Sequence, residues 1–528
     1  MIESVLKTTT ESSMSFKLTS LQALRDRFQF ESSSSSRRVI SGYLPRFCSP
    51  KTLFQGRLVH GSGNGEQQTD TLPPTAYLDA LRGYAAWIVF LAHGWDEFHF
   101  SVTRQPILSV VVAAKSMVAL FFVISGYVLS YRLLGLAHRH YRNQHNHHDH
   151  HDHHDHEKLL TSLASSTFRR GMRLWGSTIF ALAIAGVLVC LGWDGGYSDD
   201  RLGKNTLWEQ IGDWFGRLIW FMNPFVEVDG YFWAGTLQNE YLGPMWTIPV
   251  EIRGSMVLFL FFLATCMMGY RKRAALTWLA IGACYFWTKL YVAQFLMGMA
   301  VADFSLSRKQ DQGQQHSPRR SGGYVQLRMP SNSSTSTTDT TGPCPLHETS
   351  DDSFTTATHP SQSHRSKILS IAMLVAGLIL LGQPNSGGDN LGILGDFPWK
   401  FLHSLPPSQY ADNRGAHDYF YLGIGGFLLV LALDTYPVLR TPLNTPFSQY
   451  VGDLSFGIYA MHPIILIMVL RQWYNPRVRV QLFGDGFWGH VPGMILAHVL
   501  VFACADYFSR VDKRVVAVAR RVSTWFFK

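Results

Sequence analysis

The chain has 528 residues, 47% of them apolar, 13% aromatic and only 16% charged, with a mean hydropathy of +0.03. Globular chains carry about a quarter charged residues, so the deficit is concentrated in long stretches almost free of charge, and composition argues against a water-soluble enzyme. Lys and Arg outnumber Asp and Glu by 46 to 37. These basic residues alternate with apolar runs instead of forming the stripe a nucleic-acid partner needs, and the six cysteines show no CxxC spacing, so neither a zinc site nor a disulfide framework is indicated.

In chain order, residues 1–75 contain Ser32 to Ser36, scattered Arg and Lys and a Gly-rich patch. They read as a disordered cytoplasmic tail. Glu3, Glu11, Asp26 and Glu31 weaken the competing reading as a transit peptide. Apolar segments follow at 79–98, 112–134, 174–192, 246–268, 274–288, 290–306, 367–382, 417–435, 452–470 and 489–508. Each is a candidate membrane helix. The predicted fold is therefore all-α and polytopic, with about ten transmembrane helices over residues 76–510 and a basic cytoplasmic tail at 511–528. Only Lys289 separates the fifth and sixth segments, which predicts a tight hairpin. The longest charged loops fall on one side when both termini are placed inside, and the positive-inside rule makes that side the cytoplasm. A loop at 471–488, with Arg471, Arg477 and Arg479, is the exception.

Two insertions interrupt the pattern, at 138–157 and 308–366. The first reads HRHYRNQHNHHDHHDHHDH from His138 to His156, rich enough in imidazole to chelate Zn or Ni adventitiously. It reads as a solvated low-complexity loop, because the repeat supplies no fixed ligand geometry. The second is rich in Ser, Thr, Gln and Pro and reads as a cytoplasmic linker. Its sequon at Asn332 is expected to stay unmodified, since glycosylation needs luminal exposure.

Ionisable residues inside apolar spans are functional candidates because a lone charge in a bilayer costs a few kcal/mol or more. The first span, YLDALRGYAAWIVFLAHGWDEF, holds Arg82 and, eleven residues later, His93. Eleven residues are about three helical turns and about 16 Å of rise, which places both on one face. That spacing fits a polar channel with Arg82 holding an anionic group near the cytoplasm and His93 acting deeper; it equally fits a snorkelling Arg and a His bonded between helices. In the fourth span Glu251 and Arg253 point to different faces. Glu251 either orients His93 as a carboxylate does in His-based proton shuttles or pairs with Arg82 or Arg173. His462, just before Pro463, either lines the site or caps a Pro-broken helix. Ser125 and Gly126 form a small-residue notch suited to close helix packing, and Lys115 either snorkels or pairs with a carboxylate.

Together these segments resemble the acyltransferase type 3 family of multispanning membrane O-acyltransferases, with the flavour of a fungal member. The likeness covers Tyr77 to Phe508. It rests on Arg82 and His93 with ten residues between, FFVISGY at Phe121 to Tyr127, PMWTIPVE ending at Glu251, and SFGIYAMHP at Ser455 to Pro463, with FRRGMRLW at Phe168 to Trp175 opening the third span. The resemblance implies a ten-helix enzyme with no bound cofactor that moves an acyl group other than an aminoacyl group, usually acetyl from acetyl-CoA, to a hydroxyl. Because CoA is polyanionic, Arg82, Arg169, Arg170 and Arg173 are the expected binders of its phosphates, with His462 a further substrate contact. His93 is the expected general base, with Glu251 as its catalytic partner. By analogy with fungal members the acceptor is a hydroxyl-bearing small molecule such as a secondary metabolite, with a glycan second. A transporter or channel with an intramembrane Arg/Glu/His pathway is the alternative from another class, weakened by the lack of matching repeats. A non-catalytic acyl-CoA-binding scaffold is another; it would make His93 dispensable while the basic residues are not. The endoplasmic reticulum or another endomembrane is the expected location.

Overall fold

In a computed structural model, the protein is described at residues 45–48, 72–95, 105–145, 152–192, 202–223, 239–315, 364–383, 398–410 and 414–527. Its α-helices are α1 Ala76–Gly94, α2 Ala114–His145, α3 Asp152–Cys190, α4 Leu207–Phe221, α5 Thr247–Thr265, α6 Tyr270–Phe286, α7 Leu290–Gln315, α8 His364–Leu381, the short α9 Trp399–Ser404, α10 Arg414–Thr435, α11 Pro446–Ile465 and α12 Phe487–Phe526. No strand occurs among the described residues. Eight helical stretches are long and apolar enough to cross a membrane, so the chain is an all-α multi-pass membrane protein. Two further helices coincide with expected spans: α1 carries Asp79 and Arg82 within its 19 residues, and α6 has 17 residues.

Several helix ends differ from the hydropathy pattern, because apolar runs locate the part of a helix in lipid and not its ends. α2 continues to His145 and α3 starts at Asp152, so most of the first insertion prolongs two helices. His138 packs there, its Nε2 2.7 Å from Asp303 Oδ1, and Asp303 also accepts from the buried Arg273. The expected loop at 471–488 is largely helical, since α11 runs on in wide π-type turns over Leu466–Phe483. Residues 511–526 of the expected carboxyl-terminal tail are the end of α12. Residues 146–151 and 316–363, with Asn332, lie outside the described residues.

Within the amino-terminal tail, residues 45–48 are packed. Arg46 donates from Nε to Asp506 Oδ1 at 2.5 Å, from Nη1 to Asp453 Oδ2 at 2.8 Å and from Nη2 to Ser509 Oγ at 3.0 Å. Burial opposes its charge, but the bonds to Asp453 and Asp506 outweigh that and hold the guanidinium pKa above its usual value.

The sequence pattern did not isolate α4, which is too short for a span and bears Glu209, Asp213 and Arg217. A capping box starts it: Thr206 Oγ1 accepts from Glu209 N, and the Glu209 carboxylate accepts from Thr206 N. One face packs on α3, with Trp214 Nε1 donating to the Leu182 carbonyl at 2.9 Å and Phe221 against Trp175. Trp208, Ile211, Phe215 and Ile219 form an exposed apolar stripe on the other.

Two apolar cores divide the bundle, one centred on α2, α5, α7 and α10 and one on α3, α11 and α12. α1 contributes to both, with Leu78 and Val89 in the first and Ala86 and Phe90 in the second. α2 and α7 approach each other closely. A Cβ at Gly126 would run into the Phe295 carbonyl, and one at Gly298 into the Val123 carbonyl, so the notch at Ser125 and Gly126 is a packing device. Gly298→Ala is expected to destabilise the protein by about 1–3 kcal/mol, as overpacking does, measured as a lower thermal midpoint in detergent. Lys115 pairs with Asp418 at 2.8 Å, which decides between its two readings.

Candidate active site

His93, near the end of α1, lies parallel to His462 of α11, with ring centroids 5.6 Å apart and planes 6° from each other. His462 is fully buried. Its Nδ1 is 3.2 Å from the Ile458 carbonyl, so Nδ1 carries a proton. Its Nε2 is buried without a hydrogen-bond partner among the described residues. The helix runs through Pro463, so His462 is not a cap. The end of α1 is fixed by α12, where His490 Nε2 donates to the Gly94 carbonyl at 2.8 Å and the His490 ring lies edge-on to Trp95.

One turn before His462 on α11, Tyr459 lies beside it with ring centroids 5.9 Å apart. Its hydroxyl is 2.6 Å from Thr247 Oγ1 and also donates to the Pro244 carbonyl. Tyr459 and Thr247 wall a small chamber of about 40 Å³, completed by Val118, Phe121, Phe122, Ile248 and Phe456, with Ser455, Arg82 and Glu251 as its other polar lining. The chamber lies at the seam of the two cores.

Beyond Glu251 lies a larger cavity of about 230 Å³, lined by Arg82, Arg169, Arg170, Arg173 and Arg520 with Ser125 and Ser166. The structure thus brings the four basic residues singled out in the sequence to one cavity and adds Arg520 from α12. Glu251 accepts from Arg170 Nη2 and, at 2.8 Å, from Ser125 Oγ. Its ion-pair partner is therefore Arg170, which the sequence pattern did not suggest, and not Arg82 or Arg173 at salt-bridge distance. Arg170 Nε also donates to Ser255 Oγ at 3.2 Å. Arg173 reaches Asp512 of α12 at 3.8 Å, and Arg253 donates to the Asn223 carbonyl.

A family model described as Acyltransferase domain matches residues 75–510. The chain belongs to this acyltransferase family. O-acetyltransferase PaAT-1 of Phomopsis amygdali is 25% identical over 428 residues, covering 75% of this chain and 73% of its own. Acyltransferase R4 of Phoma sp. (strain ATCC 20986 / MF5453) is 22% identical over 75% of this chain and 84% of its own. Acyltransferase clz18 of Cochliobolus lunatus is 22% identical over 75% and 83%. No solved structure matches.

The protein is thus an acyltransferase enzyme with multiple membrane-spanning helices, and the candidate site residues fall into two groups. His93 and His462 form one. Arg82, Arg169, Arg170, Arg173 and Glu251 form the other, with the apolar chamber between. Three residues were not singled out from the sequence: Arg520, Thr247 and Tyr459. Thr247 and Tyr459 stand inside the PMWTIPVE and SFGIYAMHP segments, but neither is charged, so an argument from the cost of buried charge passes over them. Arg520 stands in a basic run that reads as a tail until α12 carries it back to α3.

Proposed function

We propose that this acyltransferase takes an acyl group, acetyl in the first instance, from acyl-CoA bound at the arginine cavity and delivers it to a hydroxyl of a small molecule. The observation that supports this most is the convergence of five arginines on one cavity of about 230 Å³, because clustered guanidiniums suit the phosphates of a polyanionic donor. The side carrying that cavity is assigned to the cytoplasm by the positive-inside rule, with the endoplasmic reticulum or another endomembrane as the location.

Arg82 lines both the cavity and the chamber, and His93 lies eleven residues, about 16 Å, further along α1. The donor's arm is placed along that line. His93 acts as general base on the acceptor hydroxyl, with His462, its Nε2 directed away from Ile458, contacting substrate beside it. In a ternary complex the alkoxide oxygen bonds to the thioester carbonyl carbon, the C–S bond breaks, and the proton taken by the imidazole goes to the departing thiolate. The Tyr459 proton is given to the Pro244 carbonyl, so the hydroxyl that turns to the oxyanion is that of Thr247, which otherwise bonds Tyr459. Glu251 acts through Arg170. The name O-acetyltransferase given to the Phomopsis relative supports acetyl as the group moved and a hydroxyl as its destination; secondary metabolites are favoured over glycans as acceptors by analogy alone.

The test is transfer of radiolabelled acetyl from acetyl-CoA to extractable metabolites in membranes with and without the protein. Arg169→Gln is expected to raise the donor KM about tenfold to a hundredfold, the value of one charge-assisted hydrogen bond of about 1.5–3 kcal/mol, with kcat little changed. Labelling independent of the protein would sink the donor assignment.

A further inference from the structure

The arginine cavity and the apolar chamber share a wall, and that wall is an ion pair. Arg170 and Ser125 line the cavity side, Glu251 lines the chamber side, and Arg82 lines both. Arg170 and Ser125 both donate to Glu251 Oε1, so the bonds run through the partition. The Arg170 and Glu251 side chains are only 11% and 16% exposed.

On the far side, the chamber of about 40 Å³ holds roughly three water-sized positions. No extended thioester arm fits there while the wall stands. An arm taken from the cavity into the chamber past Arg170 and Glu251, toward Tyr459 and the His462 beside it, displaces their contact.

We infer that the phosphate groups of the donor are the key to this partition. A phosphate entering the cavity offers Arg170 a bidentate, charge-assisted partner and draws it away from Glu251. The carboxylate is not stranded by this, because Arg82 and Ser125 stay beside it. Anion binding on one side of the wall thereby opens the chamber on the other. The inference rests on reading the cavity as the donor's headgroup site, and it adds a substrate rule. A donor with a neutral, truncated handle lacks the key, so it loses turnover and not only affinity, as expected when remote binding energy drives a step at the reacting centre. Supplying the anion separately should restore that turnover.

The experiment uses the full-length protein in membranes, with transfer measured from acetyl-CoA, from S-acetyl-N-acetylcysteamine, and from the latter with inorganic pyrophosphate. Pyrophosphate is expected to raise kcat for the truncated thioester at least about tenfold, equivalent to a population shift of about 1.4 kcal/mol, while competing with acetyl-CoA. In Ser125→Ala, which removes one of the two bonds to Glu251 Oε1 and leaves the carboxylate in place, the truncated thioester should depend less on pyrophosphate than in wild type. Intact transfer from acetyl-CoA with no stimulation of the truncated donor in wild type would overturn the inference and leave the donor reading standing. No transfer from acetyl-CoA would overturn both.

Discussion

Replacing His93 by alanine is expected to lower kcat for acyl transfer by about 10²–10⁴, the usual contribution of a positioned general base, while the donor still binds. The separation of the two effects follows from the layout. His93 stacks on His462 near the end of α1, whereas the arginines that line the larger cavity come from the first turns of α1 and from α3 and α12. Removing an imidazole at one end leaves the guanidiniums at the other in place. Paired measurements check this: labelled acetyl transfer, and retention of labelled CoA by membranes with matched protein levels. A variant that kept transfer would remove His93 from the chemistry and shift attention to His462, whose Nε2 is the other candidate proton acceptor. A variant that lost both transfer and CoA retention would mean that the two ends are one structural unit.

The second large effect is on stability. Asp434, at the end of α10, is 1% exposed. Its Oδ1 accepts from the Tyr127 hydroxyl and from Ser305 Oγ, each at 3.0 Å, with Arg440 at 3.4 Å and the Tyr77 hydroxyl at 3.5 Å. Arg308 reaches Oδ2 at 3.3 Å. One carboxylate therefore joins α1, α2, α7 and α10 to the segment that follows α10. Arg440 also sits over the Tyr77 ring at 4.4 Å, so the cluster has no room for repacking around a smaller side chain. Asp434→Ala takes the carboxylate from two phenols, Ser305 and two guanidiniums, and leaves the guanidiniums only main-chain carbonyls, that of residue 434 among them, with no countercharge. The expected cost is about 3–5 kcal/mol, typical of breaking a buried ion pair on one side, seen as a large drop in thermal midpoint and in monodisperse protein after detergent extraction. Asp434→Asn keeps one acceptor oxygen and should fall between. A midpoint unchanged in the alanine variant would show that the cluster is dispensable.

Asp434 also shows where reading the sequence stops. Its partners Tyr77 and Tyr127 are 357 and 307 residues away, and nothing in the local pattern joins them. Hydropathy succeeds where the physics is one-dimensional. A run of apolar residues has one stable form in lipid, because its backbone groups must bond within the segment, and the helices from α1 to α12 that coincide with such runs were legible for that reason. α4 was not, since its apolar face repeats with helical period and its charges lower the average. The cost of buried charge pointed to Arg82, His93, Glu251 and His462, and helical spacing put Arg82 and His93 on one face. Neither principle could select Arg170 as the partner of Glu251 from among the basic residues nearby, because that choice depends on how α3 leans on α2 and α5. The same holds for the hydroxyl pair of Tyr459 and Thr247, two neutral residues that matter only once α5 and α11 are side by side.

The lengths of α3 and α12 carry a further consequence. With 39 and 40 residues, they are about 58–60 Å long at 1.5 Å per residue, against a hydrocarbon thickness of about 30 Å. Roughly half of each must stand clear of the lipid, and the guanidiniums of Arg169 and Arg520 belong to the halves that meet around the cavity. Their charges therefore lie within reach of mobile counterions, where the Debye length is about 8 Å at physiological ionic strength. Salt sets how strongly this end of the molecule attracts an anion from solution, while the histidine pair, enclosed among helices, is shielded from it.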